Sequence, residues 1–112
     1  MITTKKLLNG LNKLGTLTCF SIKRVPRVIQ MGLPAYTKVW GSGPDVQVTE
    51  ETYGRITHIY FNCCTNHMYN LIQEQIRSLG GKIDSKYLNK DYNQGGRVTV
   101  SVSPIKGWHH WE

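Results

Sequence analysis

Cys63, Cys64 and His67 are the one cluster in this chain with the residue types of a nucleophile or a metal site. A helix N-terminus following them would favour thiolate over thiol. A closed zinc site, however, needs four ligands, usually as two spaced pairs. CCxxH is not such a half-site, no CxxC occurs elsewhere, and His109-His110 would have to be brought to it by the fold. Small thiols packed at the end of a strand are the plainer reading. The carboxylates are few and scattered; Glu50-Glu51 are adjacent and fall on opposite faces of a strand, a poor arrangement for acid–base work. No glycine-rich phosphate loop leads into a helix, because Gly41-Ser42-Gly43 reads as a turn closed by Pro44. No catalytic residue, metal or cofactor is therefore expected, and the chain reads as a protein without enzymatic activity.

Charge and tryptophan carry more. The chain holds 14 Lys/Arg against seven Asp/Glu, a net charge of +7. All of the excess lies in residues 1–44, which contain Lys5, Lys6, Lys13, Lys23, Arg24, Arg27 and Lys38 and no acid. In residues 45–112 seven basic side chains meet seven acidic ones. A basic segment joined to a neutral globule is a footprint of proteins that grip a polyanion; a solvated tail or a targeting peptide has the same composition. Trp40, Trp108 and Trp111 either pack in the core or stack on bases beside basic residues. The expected RNA-contacting set is Lys5, Lys6, Lys13, Lys23, Arg24, Arg27, Lys38, Trp40, Lys106 and Trp108. The alternative is a small basic protein-binding module or inhibitor acting on an acidic partner surface.

Elements must position these residues. Residues 4–14 place Leu7, Leu8, Leu11 and Leu14 on one helical face with Lys5, Lys6 and Lys13 off it, and Gly15 is a stop. Residues 20–44, with three prolines and Gly32, Gly41 and Gly43, read as an extended path with a short strand near 35–40. Residues 55–62 read as a central strand. Thr65 or Asn66 caps a helix carrying Met68, Leu71, Ile72, Ile76 and Leu79, which Gly80-Gly81 ends. Residues 82–88 predict another strand, 93–96 a turn, and 97–103 a half-buried strand with Val98, Val100 and Val102 on one face. The predicted fold is α+β: a small antiparallel or mixed sheet with one main helix on one face, preceded by an extended basic N-terminal arm. The predicted division is an arm at 1–44, containing a short amphipathic helix, and a compact domain at 45–112. No apolar run reaches the roughly 18 residues of a membrane span.

Three cysteines, two of them adjacent, do not make a secreted disulfide framework, so a reducing compartment, cytosol or mitochondrial matrix, is expected. The acid-free amphipathic start is of the kind found in mitochondrial presequences; import signal and anchor both stay open. Val25-Pro26-Arg27, Leu33-Pro34-Ala35-Tyr36, the glycine-containing turn at Gly41–Gly43, a strand, a helix and then Ile105-Lys106-Gly107-Trp108 follow one another in an order that resembles the family of mitochondrial large-subunit ribosomal protein 49. The resemblance spans about residues 23–108. It departs where the family has a Gly-Asp pair between strand and helix, here Asn62-Cys63-Cys64, and where the family continues with a helix after its closing motif. It implies a structural constituent of the mitochondrial ribosome's large subunit, located in the matrix, touching ribosomal RNA and neighbouring ribosomal proteins, without cofactor or small-molecule substrate.

Overall fold

The computed structural model describes residues 2–25, 36–53, 56–89 and 95–102; in residues 24, 25, 36–38, 51–53, 56 and 57 it describes the backbone alone. Among these the elements are α1 (Thr4–Lys13), β1 (Cys19–Val25), β2 (Tyr36–Gly43), β3 (Val46–Tyr53), β4 (Ile56–Cys63), α2 (Asn66–Ser78), β5 (Lys82–Leu88) and β6 (Gly96–Val102). The strands form one six-stranded antiparallel sheet in the order β1-β2-β3-β4-β6-β5. The fold is α+β, with two helices where the sequence predicted one main helix and a detached one.

Both helices begin and end by the same chemistry. Thr3 and Thr65 are the N-caps, each side chain accepting from the backbone N–H three residues on, at Lys6 and Met68. Both end in a left-handed glycine, Gly15 (φ +81°) and Gly80 (φ +90°). Gly15 and Thr16 N–H then donate to the Asn12 and Leu11 carbonyls, and Gly80 and Gly81 N–H to those of Arg77 and Ile76, so two otherwise orphaned carbonyls at each helix end are satisfied.

The two helices lie on one face of the sheet and share one core with it. α2 packs on β4, β5 and β6, and α1 on β1 and α2. Leu7, Leu8, Leu11 and Leu17 are fully buried beside Val39, Val46, Val48, Ile59, Phe61, Met68, Ile72, Ile76, Val98 and Val100. Each fully buried leucine is worth about 2 kcal/mol. The described residues of the stretch expected as an arm therefore do not form a separate extension: α1, β1 and β2 close the same core as the rest. Leu14, expected on the buried stripe, caps α1 and is 53% exposed.

The Gly41–Gly43 turn is also corrected. Both glycines belong to β2, and the reversal is the two-residue loop Pro44-Asp45, since Gly43 pairs with Val46. Proline fixes φ near −65° and Asp45 has φ +64°, the combination of a type II turn. A Cβ on Gly43 would stand 1.9 Å from the Thr16 carbonyl oxygen, so the glycine is there for the close passage of the α1–β1 connection. β4 and β5 are both antiparallel to β6 and hence parallel to each other; α2 is their crossover and β6 fills the slot between them.

Candidate nucleic-acid interface

Strand alternation puts the apolar residues under the helices and sends a second set to the other face. In β4, Ile59, Phe61 and Cys63 are buried while His58, Tyr60 and Asn62 alternate with them; in β6, Val98, Val100 and Val102 alternate with Arg97, Thr99 and Ser101, of which Arg97 is exposed while Thr99 and Ser101 are buried, so this strand is covered on both sides rather than half-buried as expected. In β3, Val46 and Val48 alternate with Gln47 and Thr49, and in β1, Phe20 and Ile22 alternate with Cys19, Ser21 and Lys23. No described helix packs on this second face. Cross-strand register lines it in rows. One row reads Ser21, Trp40, Thr49, Tyr60, Thr99, Ser85; the next reads Cys19, Ser42, Gln47, Asn62, Arg97, Tyr87. Trp40 is 52% exposed and Tyr87 is 69% exposed.

Arg97 is the centre of the polar half. Its Nε donates to Asn62 Oδ1 at 2.8 Å, and its guanidinium carbon lies 5.1 Å from the centroid of the Tyr60 ring. That is cation–π geometry, and it holds a long, exposed side chain to one place. Two shallow hollows adjoin it. One, of about 450 Å³, is lined by Asn62, Cys63, Tyr87, Asn89, Gly96 and Arg97. The other, of about 340 Å³, is lined by Tyr60, Ser85, Lys86, Tyr87, Arg97 and Thr99. They share Arg97 and Tyr87.

The basic residues predicted from the sequence divide between two surfaces. Lys5, Lys6 and Lys13 are exposed on α1, away from its buried leucine stripe. Lys23 is exposed on β1 and shares this second face with Trp40. Lys38 stands opposite Lys23 in the β1–β2 register, and Arg24 is the next residue of β1; for these two the backbone alone is described. Arg27, Lys106, Trp108 and Trp111 lie outside the described residues, as do the first two residues of the 93–96 turn and the family-like Ile105–Trp108 motif.

The cysteine cluster is split by the end of β4. Cys63 points into the core, 5% exposed, with its Sγ 3.8 Å from the Phe61 carbonyl oxygen, while Cys64 and His67 are exposed. Burial, with a smaller contribution from neighbouring Cys64, pushes the Cys63 thiol up to about 12. A thiol held protonated in this way is neither nucleophile nor ligand at neutral pH. Among the described residues no three His, Cys, Asp or Glu side chains assemble into a metal-ligand group.

His58, Asp84 and Ser101 meet on this second face and carry the residue types of a hydrolase triad. Their wiring is different. Ser101 Oγ donates to Asp84 Oδ2, the same oxygen lies 3.3 Å from His58 Nδ1, and Ser101 Oγ stands 3.5 Å from that same Nδ1. A triad places hydroxyl and carboxylate on opposite nitrogens of the ring so that a proton can pass through it. Here both converge on one nitrogen, and the trio serves to pin β5 to β6 and β4.

No protein-family model, curated protein or solved structure matches this chain. The assignment of a function therefore rests on the geometry above and on the sequence.

Tyr60, Tyr87 and Arg97 were not singled out by sequence reasoning. The alternation of 97–103 was enough to set Arg97 opposite the valines, and the pattern of 55–62 to set Tyr60 opposite Ile59 and Phe61. No local signal reports that Arg97, Tyr60 and Tyr87 are neighbours, because that follows from the β4-β6-β5 order.

Proposed function

We propose that this protein is a non-catalytic structural constituent of a ribonucleoprotein, held to ribosomal RNA and to neighbouring proteins, and that the assembly is the large subunit of the mitochondrial ribosome in the matrix. The observation that carries the RNA reading is the segregation of charge on a rigid framework. Lys5, Lys6, Lys13 and Lys23 are exposed on α1 and β1, in a stretch of 44 residues without one acid, and those elements are anchored by fully buried leucines. Cations without counter-charges on a folded framework are worth more to a polyanion than cations on a free tail, because the backbone is already ordered and only side-chain freedom is lost on contact. Lysines grip phosphate and carry little sequence information, as suits a protein that positions folded RNA rather than reading it. The naming of the ribosome rests on the order of the sequence motifs alone.

The test is the binding of the purified full chain to a folded ribosomal RNA transcript across salt concentrations. Four phosphate contacts predict that log K falls against log salt with a slope of about −3. Reversing charge in the triple variant Lys5→Glu, Lys6→Glu, Lys23→Glu should weaken binding severely and leave the melting temperature in place. Lys5 and Lys6 lie in the first turn of α1, where the helix dipole favours negative charge, so the reversal does not harm the helix. Absence of affinity at low salt, or affinity indifferent to salt, would sink the proposal; a nuclease-resistant complex with an acidic protein would replace it with the protein-binding alternative.

A further inference from the structure

We infer that the outer edge of β1 is the docking site for an extended acidic segment of a neighbouring protein, which adds one more strand to the sheet. The inference deepens the protein-contact half of the reading above and rests on that half; it does not need the RNA.

The two edges of the sheet are not alike. β1 ends the order β1-β2-β3-β4-β6-β5 on one side and β5 on the other. Each leaves a row of backbone N–H and C=O groups without a ladder partner among the described residues. β5 carries the devices that keep such a row from being extended. Its pairing with β6 shifts register between Ile83 and Ser85, and Lys82, Asp84 and Lys86 put exposed charges of both signs along it. β1 has neither device. It pairs with β2 one for one, from Cys19 opposite Ser42 to Val25 opposite Tyr36, without a bulge, and it holds no proline and no acid. Its seven residues are enough to seat a strand of the ordinary length, about 5–6 residues.

Two observations say what would pair there. The first is the apolar side. Phe20 and Ile22 pack against the core from β1 but stay half-buried, whereas Val39, Val48, Ile59 and Val98 on the strands further in are buried. An added strand would set its own inward residues beside Phe20 and Ile22, so apolar residues at every second position suit it.

The second is charge. β1 carries Lys23 and Arg24, Lys38 stands opposite Lys23 on β2, and residues 1–44 contain no acid to offset them. The remaining positions of the added strand, on the side of Ser21 and Lys23, therefore suit Asp or Glu, since opposite charges attract across a strand pair and like charges repel. The same charge rejects a second copy of this chain, because two such edges would meet on molecules that each carry +7. Nucleic acid has no regular row of amide donors and carbonyl acceptors to continue the ladder. Lys23 is the one residue this edge shares with the RNA contacts proposed above.

The experiment titrates the full chain with an end-blocked, eight-residue peptide that alternates valine with glutamate, and with its counterpart that has lysine in place of glutamate. Binding is read by residue-resolved hydrogen exchange. At saturation the glutamate peptide should slow the β1 amides that face away from β2 about tenfold or more and leave the β5 amides unchanged. The lysine peptide should bind about fivefold more weakly. Lys23→Glu, at an exposed position, should weaken the glutamate peptide about fivefold and strengthen the lysine one. The double variant Lys5→Glu, Lys6→Glu removes charge of the same kind from α1; it should keep peptide binding within about twofold while weakening RNA binding. An equal loss of peptide binding in the double variant and in Lys23→Glu would mean a general attraction between opposite charges and overturns the edge site. Protection at β5 instead of β1 overturns it as well, as does a chain that sediments as a dimer joined through β1. A chain that ignores the glutamate peptide yet binds the ribosomal RNA transcript loses the edge site and keeps the RNA reading; one that takes the peptide at β1 and binds no RNA keeps the edge site and loses the RNA reading.

Discussion

Cys63 and Cys64 are consecutive in sequence and opposite in environment. Cys63 alternates with Ile59 and Phe61 under α2, while Cys64 leaves the strand, its N–H donating to the Asp45 carbonyl at 2.8 Å and its thiol in solvent. In the native protein Cys19 and Cys64 should therefore react quickly with an aromatic disulfide reagent, and Cys63 only on unfolding. The same burial makes stability depend on pH. The folded thiol is raised to about 12, above its unfolded value of 9.0, so the stabilising difference is complete below pH 9 and is lost as pH rises toward 12. The loss is bounded at about 4 kcal/mol. Urea denaturation between pH 8 and 11 should show a steeper decline for the wild type than for Cys63→Val; parallel declines would refute the assignment.

At the scale of elements, the β2–β3 connection separates two roles that a glycine-rich stretch can play. Gly43 accommodates the Thr16 carbonyl, and Asp45 supplies the positive φ of the turn. Gly43→Ala should cost about 3 kcal/mol or more, because backbone must move to admit the methyl group. Asp45→Gly should cost nothing and gain up to about 1 kcal/mol, glycine being the residue this turn position favours. Thermal melts of the two variants check this; equal losses would mean that both act through the turn. The same region shows what the sequence carries and what it does not. α2 and β6 were legible because each repeats apolar residues at its own period, as in Met68, Ile72, Ile76 and in Val98, Val100, Val102, and β4 because of its β-branched and aromatic run; β5 has no such alternation, and its inner side is held by Ile83. β1 was not, because an edge strand needs only Phe20 and Ile22 on its inner side. β3 was missed because the alternation of Val46 and Val48 breaks off at Glu50-Glu51. The candidate site was half legible: Trp40 and the lysines stand out by type, whereas the company of Arg97, Tyr60 and Tyr87 exists only after β6 has been placed.

At the scale of the whole molecule, charge and core follow different boundaries. The net charge ends at residue 44, yet Leu7, Leu8, Leu11, Leu17 and Val39 are buried with Val46, Val48 and Phe61. Charge is distributed on surfaces, where water screens it, and gives no account of which segments share an interior. The sheet then has two unlike faces, one closed by both helices and one carrying Trp40, Tyr60, Tyr87 and Arg97 among polar residues.

The slot occupied by β6 has a consequence in time. Every other strand pair in the described sheet joins consecutive strands, but β4 and β6 meet from Thr57 opposite Val102 to Cys63 opposite Gly96, across a span of the chain that contains α2 and β5. Two halves, the β1–β4 meander and the α2-β5-β6 unit, can each begin locally; the seam between them requires closing a much longer loop and so waits. Pulse-labelled hydrogen exchange during refolding should find the β2–β3 amides protected before those linking β4 to β6, and simultaneous protection would show that the seam closes with the rest. Until it does, Tyr60 and Asn62 on β4 and Arg97 and Tyr87 on β6 and β5 belong to two separate surfaces, and the molecule brings them together only in the last step of becoming folded.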